Sequence, residues 1–166
     1  MLRSQSSRVG LFLLAVVVMN GCAVQKLLSR GDKLLKDNDY TKAIATYEEV
    51  LRLEPGNKPA HDRIKVARRE QVRAKLSEAE AALSAGDLAR ALGEAQRARR
   101  MPLDLEDVEL VRRIDQTIDN TAALAEGLVR GYVDKGHFLA AVDLSQKIVN
   151  ASPGVTSKWT WLVIST

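Results

Sequence analysis

Three six-residue blocks recur along this chain: Asp39-Tyr40-Thr41-Lys42-Ala43-Ile44, Asp87-Leu88-Ala89-Arg90-Ala91-Leu92 and His137-Phe138-Leu139-Ala140-Ala141-Val142. Each has a large apolar residue, two variable positions, an alanine and then an aliphatic residue. Only a small side chain fits where two helices approach most closely, which accounts for Ala43, Ala91 and Ala141. A pattern repeated at intervals of 48 and 50 residues describes one helical unit used three times. Such units bury their apolar stripes by stacking on their neighbours.

Composition and punctuation agree with helices throughout. Aromatic residues make up 4% of the chain, alanine, leucine, arginine and glutamate dominate, and no stretch sustains the apolar/polar alternation of a half-buried strand. Breakers fall at Asp37-Asn38-Asp39, Pro55-Gly56-Asn57, Gly86-Asp87, Pro102, Lys135-Gly136 and Pro153-Gly154. They predict helices over 25–36, 40–53, 58–85, 88–100, 104–134 and 138–150. Asp39, Asn57, Asp87 and Asp104 stand where an N-cap oxygen accepts from the free backbone N–H groups of the next turn. The pair Asp104 and Asp107 also places carboxylates at the positive end of a helix dipole. Two of the expected helices are long. Each either runs unbroken, serving one neighbour with its first half and another with its second, or breaks near Arg69-Glu70 and Asn120-Thr121.

The first block resembles a tetratricopeptide repeat over about Val24 to Asn57. Gly31 lies late in its first helix, Tyr40 and Ala43 open the second, Tyr47 follows one turn on, and Pro55 comes after. The second block departs from that pattern, with Ala79 at the glycine position, Ala95 at the aromatic one, and Pro102 one place early. The third keeps Phe138, Ala141 and Pro153 but has Val129 and Ser145 at those two positions. Both intervals also exceed the 34 residues of that family. The resemblance implies an all-α solenoid of about three helix pairs, two with lengthened first helices, and a concave face lined by first helices that binds peptide or protein. Arg30, Lys33, Arg73 and Arg130 are its candidate groove residues. Gly31, Tyr40, Ala43, Tyr47, Ala91, Phe138 and Ala141 are its expected packing residues.

The N-terminus has a basic start with Arg3 and Arg8, an apolar run from Val9 to Met19, and the small residues Gly21-Cys22-Ala23. That is the layout of a secretory signal, and the run is about half the ~20 residues a membrane-spanning helix needs. Met19-Asn20-Gly21-Cys22 resembles the bacterial lipobox, with Met19 and Asn20 departing from its usual letters. The resemblance implies lipid attachment at Cys22 and removal of residues 1–21. It also implies a lipidated N-terminus at 22–24 ahead of a repeat domain over 25–152. Two or more acyl chains hold a protein on a bilayer where one does so marginally. Ala23 stands where an acidic residue commonly retains such proteins at the inner membrane, so the implied address is the outer membrane, facing the periplasm. The other readings of Cys22 are an incidental cysteine after an ordinary signal, or a buried one in an uncleaved chain. With one cysteine no intramolecular disulfide forms.

Charge and motif content narrow the function. Arg3 and Arg8 are two of the 25 basic residues, so cleavage leaves 23 against 21 acidic ones, which gives no reason to expect nucleic acid. No glycine-rich phosphate loop occurs. His61 and His137 lie far apart in sequence and belong to no metal motif, so His61 reads as a surface residue and His137 as a substitute for the N-cap aspartates. Glu48-Glu49, Glu78-Glu80 and Glu106-Asp107-Glu109 read as solvated faces with i, i+4 partners. The run Arg63, Lys65, Arg68, Arg69, Arg73 and Lys75 reads either as a solvated face or as a contact for anionic headgroups, cell-wall polymer or an acidic partner.

These features point to a non-enzymatic, membrane-anchored scaffold or assembly factor for an envelope complex of the secretion, pilus or outer-membrane assembly class. Its partners would be envelope proteins or peptides, with no cofactor, metal or small-molecule substrate. The alternatives are a cell-wall accessory protein or small hydrolase, and a helical scaffold without lipid. The apolar tail over 153–166, with Trp159, Trp161, Leu162, Val163 and Ile164, either tucks onto the third pair or begins a fourth.

Overall fold

The computed structural model describes residues 22–103 and 106–151, and all regular structure among them is helical. The first helix, α1, covers residues 22–36. It is followed by α2 (Tyr40–Leu53), α3 (Lys58–Ser84), α4 (Leu88–Arg100), α5 (Val108–Asp134) and α6 (Phe138–Ala151). Helices α3 and α5 run for 27 residues each without interruption, so neither carries the break considered at Arg69-Glu70 or Asn120-Thr121.

The same turn joins the helices within each pair. Asn38, Gly86 and Gly136 take positive φ angles of 60°, 78° and 73°. After them the amides of Asp39, Asp87 and His137 donate five residues back, to the carbonyls of Leu34, Ala82 and Tyr132, at 2.9, 3.0 and 2.8 Å. The amides of Asn38, Gly86 and Gly136 donate to Leu35, Leu83 and Val133. This double bond pattern closes a helix C-terminus through a left-handed residue, where glycine or asparagine costs least. The following helix then starts on a cap. The carboxylates of Asp39 and Asp87 accept from the amides of Lys42 and Arg90, and the Asn57 side chain accepts from the Ala60 amide at 3.0 Å.

One expected start is corrected. Helix α5 begins at Val108 with Asp107, not Asp104, in the N-cap position, and Asp107 makes no side-chain cap bond. The later start places Leu110 and Ile114 in the core while leaving Glu109 in the first turn, where the dipole favours an acid. Asp104 lies outside the described residues, as do the expected signal segment 1–21 and the tail 153–166.

The chain divides into two compact units, one ending at Gln71 and the other beginning at Val72. The division falls inside a continuous helix rather than at a linker. In the first unit, Val24 and Leu28 of α1 pack with Ala43, Tyr47 and Val50 of α2 and with Ala60, Ile64 and Ala67 of α3. Residues 22–24 are already helical, and Val24 belongs to this core. The second unit has two clusters. Val72 and Leu76 of α3 meet Ala98 of α4 and Leu110 and Ile114 of α5. Leu88 and Leu92 of α4 meet Ala125 and Val129 of α5 and Ala141 and Ile148 of α6.

Candidate anchor and docking surfaces

Cys22 is exposed at the head of α1. Only Ala23 separates it from Val24, which is 5% exposed in the first unit's core. On the opposite face of α1, the exposed residues Lys26, Arg30 and Lys33 follow i, i+4, i+7 spacing, which stacks them on one side of a helix. Lys26 was not among the sequence candidates, although its spacing from Arg30 and Lys33 is legible in the chain.

Behind that stripe, three helices are tied together by polar groups. The Arg63 guanidinium of α3 donates to Asp32 of α1 through Nε at 2.7 Å and through a terminal nitrogen at 3.2 Å. The Tyr47 hydroxyl of α2 donates to the same carboxylate at 2.9 Å. Burial, reinforced by the hydrogen bond to Asp32, holds the Tyr47 phenol well above its ordinary pKa. The neutral hydroxyl is therefore the form this site keeps. Its ring packs over Gly31, where an added Cβ would come within 2.8 Å of Tyr47 Cδ1. Sequence reading identified the glycine and the tyrosine but not their partners Asp32 and Arg63. The separation of 31 residues between those two leaves no local pattern to find.

The four expected groove residues divide between the two units. Arg30 and Lys33 are exposed on α1 of the first unit, and Arg73 and Arg130 are exposed in the second. Within the second unit, Arg113 of α5 pairs with Glu80 of α3 at 2.7 Å. Arg130 lies 17 residues further along α5, roughly 25 Å at the helical rise, while Arg73 lies seven residues before Glu80 on α3. Arg130 is paired within its own helix to Glu126 at 2.9 Å.

The carboxylates do not converge either. Glu78 and Glu109 have the near neighbours expected of helix faces, Lys75 and Arg112, three residues away. Glu48 and Glu80 instead reach across to other helices, to Arg68 and Arg113, which corrects their reading as i, i+4 pairs. Lys75 bridges Glu78 and Glu94, and every member of the basic run on α3 has an interaction of its own. His61 is exposed with Nε2 3.1 Å from the Pro55 carbonyl. His137 is exposed beside Tyr132, their ring centroids 6.4 Å apart. Among the described residues no group of three or more histidine, cysteine, aspartate or glutamate side chains could hold a metal ion.

Apolar exposure concentrates at the junction of α5 and α6. Phe138 is 53% exposed, Val142 44% and Leu139 88%, and Leu124 and Leu128 of α5 are about half exposed. Phe138 was expected in the packed interior and is not there. Its counterpart Leu88 on α4 is covered because α5 and α6 follow it in the cluster, and no later described helix follows α6.

Among the described residues no helix is long and apolar enough to cross a membrane. No protein-family model, curated protein or solved structure matches the chain.

Proposed function

We propose that this chain is a lipid-anchored, periplasm-facing scaffold of tetratricopeptide-like helix pairs, which holds or assembles protein components of a bacterial envelope complex. The observation that carries the reading is the position of Cys22, exposed and a single residue from the buried Val24. A diacylglyceryl group on that thiol would be joined to the folded helices almost without a tether. The first unit would ride directly on the membrane surface.

The basic stripe supports this placement. Lys26, Arg30 and Lys33 begin four residues after the anchor, and a lysine or arginine near an anionic leaflet contributes about 1 kcal/mol each. A non-enzymatic role is supported by the use to which the polar groups are put. Asp32, Glu48 and Glu80 are each committed to a cation on another helix, which leaves them poorly placed for acid–base work on a substrate.

The test is expression in a bacterium with an outer membrane, followed by intact mass and membrane fractionation. The expected product begins at Cys22, carries acyl mass and sediments with outer membranes, whereas Cys22→Ser is unacylated and leaves that fraction. Crosslinking from introduced photoreactive residues at positions 30 and 33 is then expected to capture envelope proteins. An unprocessed, unacylated wild-type chain would sink the anchor, and crosslinks confined to lipid would sink the partner-binding role of α1.

A further inference from the structure

The three repeated blocks allow equivalent positions on α2, α4 and α6 to be compared directly. Their alanines are all buried, with Ala43, Ala91 and Ala141 at 0, 0 and 5% exposure. The two apolar positions flanking the alanine behave differently. On α4, Leu88 and Leu92 are 6% and 0% exposed within the cluster that α5 and α6 complete. On α6, the same positions hold Phe138 and Val142, at 53% and 44%. On α2 they hold Tyr40 and Ile44, both half-buried, so sequence keeps these positions apolar in every block while their exposure among the described residues is greatest in the last.

We infer that the face of α6 bearing Phe138 and Val142 is a docking surface for the chain's own segment 153–166, engaged through Trp159 and Trp161. Three observations select this occupant. For Leu88 and Leu92 on α4, and in part for Ile44 on α2, the cover includes residues that follow next in the same chain. The segment following α6 supplies the matching chemistry, since it holds both tryptophans of the protein together with Leu162, Val163 and Ile164. The distances also allow it. Val142 lies nine residues, about 14 Å, before the end of α6 at Ala151. Eight residues of chain from Ala151 to Trp159 can extend to about 26 Å. Burying a tryptophan against Phe138 and Val142 removes apolar surface on both sides from water and gives an aromatic pair. The inference does not depend on lipidation at Cys22.

Because Trp159 and Trp161 are the only tryptophans, intrinsic fluorescence reports on this segment alone. In the full-length chain in mild detergent, the expected emission is blue-shifted and weakly quenched by acrylamide at every protein concentration. The double substitution Phe138→Ser with Val142→Ser is expected to red-shift it and raise the quenching constant several-fold, with helical circular dichroism retained. Solvent-like emission in the wild type, or emission indifferent to the double substitution, would overturn the inference. If the double substitution unfolds α6, a cysteine pair decides instead. In a Cys22→Ser chain, Val142→Cys with Trp161→Cys should oxidise to an intramolecular disulfide, and Asp143→Cys with Trp161→Cys should not. Disulfide-linked dimers from the first pair would assign the surface to a second copy, and no disulfide, or equal oxidation of both pairs, would remove the segment as its occupant.

Discussion

Gly31 and Tyr47 show how a single side chain can be excluded by its neighbour. In a helix interior, alanine is favoured over glycine by about 1 kcal/mol, so Gly31→Ala would stabilise α1 if the space were open. The Tyr47 ring fills that space, and the hydrogen bond to Asp32 resists its displacement. Overpacking of a close-packed site costs about 1–3 kcal/mol. Gly31→Ala is therefore expected to lower stability in urea unfolding. Gly127→Ala, where a Cβ meets open space within α5, is expected to raise it by about 0.5–1 kcal/mol. Tyr47 also sets an alkaline dependence. Its folded-state pKa is raised, so the stability from the neutral phenol is complete below the unfolded value of about 10. It is lost as pH climbs above that value, because the unfolded chain releases the proton first. Wild type is expected to exceed Tyr47→Phe in stability at neutral pH, and the gap should narrow above about pH 10.

At the scale of elements, much was legible because helix ends are local chemistry. An aspartate or asparagine cap, a left-handed glycine or asparagine and a proline each act within a few residues, and the predicted ends of α2, α4 and α6 lie within one residue of those observed. Asp104 misled because several acids precede α5, and only packing decides which turn starts the helix. The departures from the repeat pattern also acquire a physical sense. Gly31 with Tyr47, Ala79 with Ala95, and Val129 with Ser145 occupy equivalent positions, and all are buried. A larger residue at the first position accompanies a smaller one at the second, as a close-packed interior requires. The third block remains weak at its start, where His137 replaces the capping aspartate. His137→Asp would supply a carboxylate acceptor for the first turn of α6, and an exchanged cap of this type contributes about 1 kcal/mol. A higher midpoint in thermal unfolding is the expected outcome, and an unchanged or lower one would show that the turn cannot present the carboxylate.

For the whole molecule, the division inside α3 implies stability that is distributed locally, as in proteins built of stacked units. Leu92 is fully buried in the second unit, and Leu92→Ala is expected to cost 2–5 kcal/mol at a site of that kind. Hydrogen exchange should accelerate across α4, α5 and α6 and far less in α1 and α2. Uniform acceleration would instead indicate a single cooperative body. The sequence by itself determined the all-helical character, the places where helices stop and start, and the recurrence of one block, because propensity, capping and period are properties of neighbouring residues. Only the tertiary structure decided that α3 and α5 run unbroken, that Asp32 binds both Tyr47 and Arg63, and that the described helices cover Leu88 but not Phe138. Each of those outcomes depends on which distant segment covers or pairs with a residue, and that information is not contained in the residue's own stretch of chain.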